Sequence, residues 1–489
     1  MISESSRNPS GLGAPRETAA SPLPETLLQQ PANVLPPLHR QFRPAWLGNR
    51  AFRAEVARSG GERLVIALER DGGNVSIFET EIFAEGHAQA ALNVTYVERI
   101  LKFLLWQKGG FRVLVAGSPA LAAELAAIYA PGGARAFDAD FFAKIYESAF
   151  EVKSVDFSEL PAEREQGAAV GGHLDGCRIG FDAGGSDRKV AAVIDGKEVF
   201  SCEVVWEPKL QSDAQYHIDG INDSIRRAAE HLPRIDAIGV SSAGIYVNNR
   251  TMIASLFRKV PEAEFNARIK SIYLDVAKKW GNVPLEVAND GDVTALAGAL
   301  DLKDDSVLGI AMGTSEAVGY VNPKGMITGW LNELAFAPVD YGAAPFVDTE
   351  WSGDVGTGVG YFSQDAVIRL APEAGIELDP KLSPGAKLKH VQGLLAKGEA
   401  GPRAIFETIG VYLGYALLHY CDFYSVKHVL LLGRVTSGEG GNLLLEKARQ
   451  VLALENPELA SRLKIHLPDE ATRRVGQSIA AASLPRISR

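Results

Sequence analysis

Short hydrophobic runs that end in glycine, hydroxyl or acidic residues alternate with stretches of helical spacing along most of this chain. Residues 179–182, 237–242 and 285–289 are runs of this kind. Short apolar runs predict buried strands, whereas apolar positions three and four residues apart predict helices. The helical spacing covers residues 219–231, 262–280, 364–371, 403–420, 442–453 and 473–483. Single strands that alternate with helices favour α/β layers over a β-sandwich.

The segment Asp182-Ala183-Gly184-Gly185-Ser186 lies between two strand-like runs. This pattern predicts a β-hairpin whose Gly-Gly turn exposes backbone N–H groups, and a turn without Cβ atoms can approach a polyphosphate closely. Asp182 is then a candidate ligand for the Mg²⁺ ion that accompanies phosphates, and Ser186 adds a hydroxyl. An acid followed by two glycines is also typical of an ordinary turn, so this segment alone leaves both interpretations open.

Further polar segments follow hydrophobic runs in the same way. They are Ser242-Ala243-Gly244, Asn289-Asp290-Gly291, Gly313-Thr314-Ser315 and the stretch from Gly433 to Gly441. Asp290 is predicted where a strand ends and a helix begins, and a helix N-terminus favours an ionised carboxylate. Asn289 offers both a hydrogen-bond donor and an acceptor. The same pair also fits a plain turn and helix N-cap.

In this order, the segments resemble the motifs of the superfamily of sugar kinases, heat-shock chaperones and actin. The closest resemblance is to hexokinases and ROK-type (repressor, open reading frame, kinase) sugar kinases. Residues 179–188 resemble the phosphate-1 loop, Gly313-Thr314-Ser315 resembles the phosphate-2 loop, and Gly433 to Gly441 resembles the adenosine motif. The resemblance covers residues 175–489. It implies a two-lobed, actin- or hexokinase-like (ribonuclease H-like) α/β fold with an extra N-terminal α/β unit.

The same resemblance implies phosphorylation of a sugar hydroxyl, with ATP and Mg²⁺ as cofactors. Asp290 is then the catalytic base. The implied sugar-binding residues are Asn289, Glu333, Ser242 and Gly244. The residues implied to bind the nucleotide are Asp182, which also holds Mg²⁺, and Gly184, Gly185, Ser186, Gly313, Thr314, Ser315, Gly433, Ser437 and Gly438.

This sequence departs from the pattern of ROK kinases at four places. Phe336 stands where these kinases carry a histidine, and residues 340–360 contain no cysteine, so we expect no structural zinc. Glu316 follows the phosphate-2 turn directly, where a carboxylate that pointed inward would repel phosphates. Arg434 replaces a glycine and either stacks on adenine or faces solvent. A catalytically silent sugar- or nucleotide-binding regulator of the same fold therefore remains an alternative.

The chain divides by composition into four predicted segments. Residues 1–48 form a proline-rich irregular arm, 49–172 an accessory α/β domain and linker, 173–295 the first lobe and 296–489 the second lobe. The arm is either a disordered tail or an extended strap on the body. Asp71-Gly72-Gly73 follows a strand as Asp182 does, which leaves open a degenerate half-copy of the nucleotide-binding unit or a coincidence.

The net charge disfavours several classes of partner, and the cysteine content indicates the redox compartment. The net charge is −10 and no basic block is present, which disfavours nucleic acid and anionic membranes. Three cysteines without a Cys-x-x-Cys motif fit a reducing compartment, and no apolar run is long enough for a membrane span. We expect a cytoplasmic protein that binds a small sugar, and a homodimer is left open.

Overall fold

The computed structural model describes residues 27–165, 170–349, 351–468 and 470–487, without the side chains of 470–475. The first 26 residues of the predicted arm lie outside this range. The described strands form sheets of four, five and four strands and one two-stranded ribbon. No helix within the described ranges is long and apolar enough to cross a membrane.

The N-terminal unit is an α/β layer around the four-stranded sheet in the order β2-β1-β3-β4. Its elements are α1 (Ala45–Ser59), β1 (Glu62–Glu69), β2 (Val75–Ile82), α2 (Leu92–Lys108), β3 (Arg112–Ala116), α3 (Pro119–Tyr129), α4 (Ala136–Tyr146) and β4 (Glu151–Ser154). Before α1, the chain from Leu27 has no helix and runs along the body with Leu28 buried. This part of the arm is therefore a strap.

The first lobe contains the five-stranded sheet, in the order β11-β8-β5-β6-β7. Its elements are β5 (Cys177–Ala183), β6 (Asp187–Ile194), β7 (Lys197–Val205), α5 (Ala214–Ala229), β8 (Ala237–Ser242), β9 (Ile245–Val247), β10 (Arg250–Ile253), α6 (Glu262–Glu264) with a π-helical turn (Phe265–Ile269), α7 (Ile272–Lys279), β11 (Leu285–Asn289) and α8 (Asp290–Leu302). Strands β5, β6 and β7 form an antiparallel meander, and β5, β8 and β11 run parallel. The predicted hairpin on either side of Gly184 is thus present.

The second lobe repeats this plan with a hairpin followed by parallel strands, in the order β13-β12-β14-β15. Its elements are β12 (Val307–Met312), β13 (Glu316–Val321), α9 (Gln364–Leu370), α10 (Pro384–Ala396), α11 (Ala400–Cys421), β14 (His428–Leu432), α12 (Glu439–Glu455), α13 (Pro457–Arg462), β15 (Lys464–His466) and α14 (Glu470–Ala482). The two-lobed α/β fold that the sequence predicts is confirmed. In the N-terminal unit, by contrast, β3 runs antiparallel to β1, so this unit does not repeat the first lobe.

Two glycines explain how the last helix reaches the first lobe. Gly180 on β5 and Gly239 on β8 are paired in register. A Cβ atom at these positions would lie 1.8 Å from Ser478 O and 1.7 Å from Ala481 O, so only glycine lets α14 pack directly on this sheet. Helix α14 thus packs on the first lobe, although it lies at the end of the predicted second lobe, residues 296–489. The domain boundaries stay predictions, and α1 also spans the one at residue 48.

A buried cluster of charges joins the N-terminal unit to the second lobe. Asp354 lies on the loop before α9. It forms ion pairs with Lys102 at 3.1 Å, Arg99 at 3.3 Å and Arg135 at 2.7 Å. Lys102 also contacts Asp138 on α4 at 2.8 Å. Separation of the N-terminal unit from the second lobe would leave these buried charges without partners, so the cluster stabilises the contact between them.

Candidate active site

Three parallel strands bring the predicted first-lobe residues to one edge of the sheet. Asp182 pairs in register with Ser241, while Ser242 lies between Ala183 and Asn289. Asp290 follows as the first residue of α8. The carboxyl edge of a parallel sheet is a common place for a ligand site in α/β proteins. Asp182, Asn289 and Asp290 therefore meet as the motifs predict.

Asp182 lies at the buried floor of this edge. Ser241 Oγ donates a hydrogen bond to Asp182 Oδ1 at 2.8 Å, and Lys189 Nζ lies 3.9 Å from Oδ2. Burial raises the pKa of Asp182 to about 6, and the nearby charge of Asp290 adds to this effect. The carboxylate is thus mostly ionised at neutral pH, as a ligand of a hydrated cation needs to be.

The turn from Gly184 to Ser186 is held from behind by one tryptophan. Trp206 Nε1 donates to Gly184 O at 2.8 Å, and Trp206 N donates to Ser186 O at 3.1 Å. Ser186 Oγ donates to Asp187 Oδ2 at 3.2 Å at the exposed rim. Both bonds from Trp206 go to carbonyl groups, which leaves the N–H groups of the turn for a ligand.

Lys209 lies over this turn, and sequence reasoning missed it. A Cβ atom on Gly185 would lie 3.0 Å from Lys209 Nζ. The charge of Lys209 also lowers the pKa of Asp290, so its ammonium group acts on the candidate base as well as on the turn. Lys209 is half-buried and forms no ion pair with another residue in the described part of the chain. A lone lysine after a strand belongs to no motif, so the sequence offered no signal for it.

Asp290 is half-buried, and its chemistry differs from the expectation. Burial raises the pKa of Asp290, although the Gly291 amide donates to Asp290 Oδ1 at 3.0 Å. The helix N-terminus was expected to favour the ionised form, but the cost of removing a carboxylate from water is larger here. A raised pKa brings this carboxyl closer to the range in which a general base works at neutral pH.

The side chain of Asn289 is engaged on both sides. Its Oδ1 accepts from Gly291 N at 2.8 Å as the N-cap of α8, and its Nδ2 donates to Gly244 O at 2.8 Å. Ser242 is completely buried, and its Oγ accepts from Tyr246 at 2.6 Å and Tyr273 at 3.1 Å. Asn289 and Gly244 line the cavity beside the sheet edge, whereas Ser242 supports it from below.

In the second lobe, the phosphate-2 turn and the adenosine motif lie side by side. Gly433, with φ +94°, packs so closely on the end of β12 that a Cβ atom would stand 2.3 Å from Met312 O. Arg434 Nη2 donates to Thr314 Oγ1 at 3.3 Å, so this guanidinium lies against the phosphate-2 turn. Ser437 and Gly438 are exposed just before α12. The turn itself is anchored by Gln364 N, which donates to Gly313 O at 2.9 Å, and Ser315 completes it.

The side chain of Glu316 is buried, although this residue directly follows the Gly313–Ser315 turn. It lies inside the second lobe, where Tyr420 Oη donates to its Oε1 at 3.2 Å. A Cβ atom on Gly358 would lie 2.1 Å from Glu316 Oε2, which has no hydrogen-bond partner among the described atoms. Burial raises the pKa of Glu316 to about 8, so the side chain is mostly neutral at pH 7.

Two more acids lie close to Asp290. Burial and the charge of Asp290 raise the pKa of Glu333 to about 7. Asp292, which sequence reasoning missed, accepts from Tyr320 N and Asn332 Nδ2, both at 2.9 Å, and burial raises its pKa to about 8. Its position two residues after Asp290, in the first turn of α8, was the available signal. Glu333 is thus brought near the candidate base across the two lobes.

A cavity of about 420 Å³ lies beside Asn289. Its walls come from the first lobe (Gly244–Asn249 and Glu286–Asn289), from residues 327–331 of the second lobe and from the N-terminal unit. A separate, smaller cavity contacts Asp290 and the strands of the second lobe. Among the described residues, no group of three or more histidine, cysteine, aspartate and glutamate side chains could hold a metal ion.

No protein-family model matches this chain, and no curated protein sequence matches it. Among solved structures, the ROK hexokinase of Thermus thermophilus is similar, with 18% identity, a TM-score of 0.48 and coverage of 63% of this chain and 96% of that one. A ROK family glucokinase from Streptomyces griseus, solved with glucose and AMPPNP, has 18% identity, a TM-score of 0.44 and coverage of 63% and 98%.

A ROK family transcriptional regulator, a homologue of the E. coli MLC protein, is also similar. It has 16% identity and a TM-score of 0.47, with coverage of 63% of this chain and 79% of that one. These similarities decide neither activity nor substrate.

Proposed function

We propose that this protein transfers the γ-phosphoryl group of ATP to a hydroxyl of a hexose or a related small sugar. The observation that carries the proposal is the position of Asp290. This carboxyl lies at the carboxyl edge of the first-lobe sheet and lines a cavity together with strands of the second lobe, where the charge of Lys209 lowers its pKa and its own charge raises the pKa of Glu333. A group there can accept a proton from a hydroxyl held between the lobes.

The proposed phosphate side consists of two turns and two cations. The Gly184–Ser186 turn carries Lys209 over it, and the Gly313–Ser315 turn carries Arg434 beside it. Phosphoryl transfer needs the donor held in place and its charge neutralised, which backbone N–H groups and cations supply. In this proposal Gly433, Ser437 and Gly438 lie next to the nucleoside. Asp182 would hold Mg²⁺ through water, and the ion would neutralise phosphate charge when bound.

The proposed acceptor side extends from the cavity beside Asn289 to Glu333 and Asp290, which do not line that cavity themselves. Glu333 and Asn289 would bind sugar hydroxyls, and Gly244 lets the chain pass close to the sugar. Because the side chain of Asn289 already makes two hydrogen bonds within the protein, its contact with the sugar uses the second N–H of Nδ2 or the second lone pair of Oδ1. Glu333 then carries most of the recognition by charge-assisted hydrogen bonds.

The alternative is a regulator of the same fold that binds sugar or nucleotide without turnover. Phe336 favours it, because this ring stacks on Trp106 at 4.2 Å and offers no hydrogen bond where ROK kinases carry a histidine. The two functions differ in one readout. A kinase releases ADP in proportion to the sugar, whereas a regulator is stabilised by its ligand without forming product.

The test is an ADP-release assay with ATP and Mg²⁺ against hexoses, amino sugars and polyols. Product is identified by mass, so that hydrolysis of ATP by water is not counted as transfer. We expect one group of sugars to give sugar phosphate and ADP in equal amounts. A melting temperature that rises with sugar or ATP, together with no product from any acceptor, would support the regulator instead.

A further inference from the structure

We propose that Asn332 is a positioning residue of the acceptor site, which fixes the place of Glu333 beside Asp290 through a left-handed backbone and a buried hydrogen-bond network. The inference rests on the function proposed above, because it assigns a role within the acceptor site. Asn332 is only 1% exposed, so it acts through its neighbours and does not contact a ligand itself.

The first observation is the backbone of Asn332. Its φ is +53°, in the left-handed region that most side chains avoid and that asparagine tolerates unusually well. The consecutive N–H groups of Asn332 and Glu333 donate to Gln107 O and Trp106 O, both at 2.9 Å. These carbonyls belong to the last turn of α2, where a helix leaves its carbonyl groups without donors of its own. The end of α2, in the N-terminal unit, therefore holds the segment that carries Glu333.

The second observation is the side chain of Asn332, which makes two hydrogen bonds inside the protein. Its Nδ2 donates to Asp292 Oδ1 at 2.9 Å, and its Oδ1 accepts from Tyr424 Oη at 2.9 Å. All three side chains are buried. Glycine would fit the backbone but has no amide, and an aspartate would set a second carboxyl against Asp292. Asparagine therefore suits both the backbone and the two partners.

The third observation is that Asp292 connects this network to the helix of the candidate base. Asp292 lies in the first turn of α8, two residues after Asp290. Its Oδ1 also accepts from Tyr320 N on β13 at 2.9 Å. One carboxyl oxygen thus joins the start of α8, strand β13 and the segment of Glu333. Loss of the Asn332 amide would break the link to that segment and leave the bond to β13 in place.

A fixed relation between Glu333 and Asp290 matters for the proposed reaction. Glu333 binds the acceptor there, and Asp290 takes a proton from the same molecule. Groups with such roles must keep their places to within about 0.5 Å, because hydrogen bonds to a ligand depend on distance and direction. Asn332 supplies this precision from a buried position, by tying the segment of Glu333 to two other elements.

The experiment compares Asn332→Gly with Asn282→Gly in kinetics with ATP and glucose, mannose or glucosamine. Glycine keeps the left-handed backbone and removes the amide. Asn282 is the matched control, because it also has a left-handed φ, +56°, and is exposed on the loop between α7 and β11. We expect Asn332→Gly to raise the KM for sugar about tenfold, the effect of one hydrogen bond to a charged group, with the KM for ATP unchanged. Asn282→Gly should behave as wild type.

A double mutant shows whether Asn332 acts through Glu333. In a Glu333→Ala background, Asn332→Gly should raise the KM for sugar by about threefold or less, because no carboxyl remains to be positioned. An undiminished effect in that background overturns the inference.

Tyr424→Phe decides the matter if Asn332→Gly does not fold, because it removes only the hydroxyl that donates to the amide. It should raise the KM for sugar about threefold or more and spare the KM for ATP. An unchanged KM for sugar in Tyr424→Phe would then overturn the inference.

Binding of the same three sugars is also measured by calorimetry without ATP, which separates this inference from the proposed function. If wild type binds a sugar but forms no product, the kinase proposal fails, and the sugar affinities of Asn332→Gly and Asn282→Gly decide the role of Asn332. Equal affinities in these two variants overturn the inference, as does an equal rise of both KM values in Asn332→Gly. A wild type that neither binds nor phosphorylates any of the three overturns both.

Discussion

The amine of Lys209 lies over Gly185, so that a Cβ atom at this glycine would stand 3.0 Å from the ammonium nitrogen. This cation has no ionic partner in the described part of the protein, yet it lies beside the turn that resembles a phosphate-binding loop. We expect Lys209→Ala to raise the KM for ATP about tenfold or more, because it removes a charge-assisted contact to phosphate. The affinity for adenosine, which has no phosphate, should be unchanged. Steady-state kinetics and calorimetry with both ligands measure this.

Lys279→Ala is the matched control, because Lys279 is an exposed lysine of the same lobe at the end of α7. It should leave both affinities as they are. Equal losses of ATP and adenosine binding in Lys209→Ala would mean that the lysine supports the fold of the loop and not the phosphates.

Gly185→Ala tests the position of the Lys209 amine over the turn by a change in the turn itself. The φ of Gly185 is not in the left-handed region, so alanine is compatible with the backbone, and only the flexible end of Lys209 must move. We expect a melting temperature near that of wild type with a weaker affinity for ATP. A stable variant with full ATP affinity would show that the position of this amine is unimportant.

The pKa of Glu333, which burial and the charge of Asp290 raise to about 7, gives a pH dependence to sugar use. A carboxyl binds a neutral hydroxyl more strongly once ionised, so kcat/KM for the sugar should rise with pH through about 7. Glu333→Gln should remove this inflection and raise the KM for sugar roughly tenfold, with the KM for ATP unchanged. Glu373→Gln, at an exposed position after α9, should keep the wild-type profile. An inflection that persists in Glu333→Gln belongs to another group.

Glu316 gives a pH dependence to stability. Burial raises its pKa to about 8, well above that of an unfolded glutamate, so the folded state binds this proton more tightly. The stabilisation is complete below the unfolded pKa and is lost as the pH rises through the folded one. The contribution of Glu316 to the melting temperature should therefore fall from about pH 4.5 to about pH 8 and level off above that. Glu316→Gln should make this fall shallower, and identical slopes for the two proteins would contradict the account.

The elements around the first-lobe site could be predicted because their signals are local. Asp182 and Asn289 each follow a run of apolar residues, and strands of that kind end at one edge of a parallel sheet. The glycine turn could be predicted in the same way, because Gly184 and Gly185 lie between two hydrophobic runs that predict strands. Local patterns also located most helices of the two lobes, whereas five other helices were not predicted: α10 and α13 of the second lobe and α1, α3 and α4 of the N-terminal unit.

What could not be predicted depends on residues far apart in the chain. The orientation of Glu316 is decided by Tyr420 and Gly358, neither of which belongs to the turn that precedes it. The pKa of Asp290 was misjudged because helix position is visible in the sequence, whereas burial between two lobes is not. The position of Asp71 in the lining of the cavity beside Asn289 follows from the docking of a whole unit, which no local pattern encodes.

The most direct test of the central claim is sugar-dependent ADP release by wild type, Asp290→Asn and Asp301→Asn. Asp301 lies on the same helix α8 in an exposed position and serves as the control. We expect Asp290→Asn to lower kcat by several orders of magnitude with ATP affinity nearly unchanged, because the amide cannot accept the proton from the hydroxyl. Asp301→Asn should keep wild-type turnover. Full turnover in Asp290→Asn would contradict the assignment of the base.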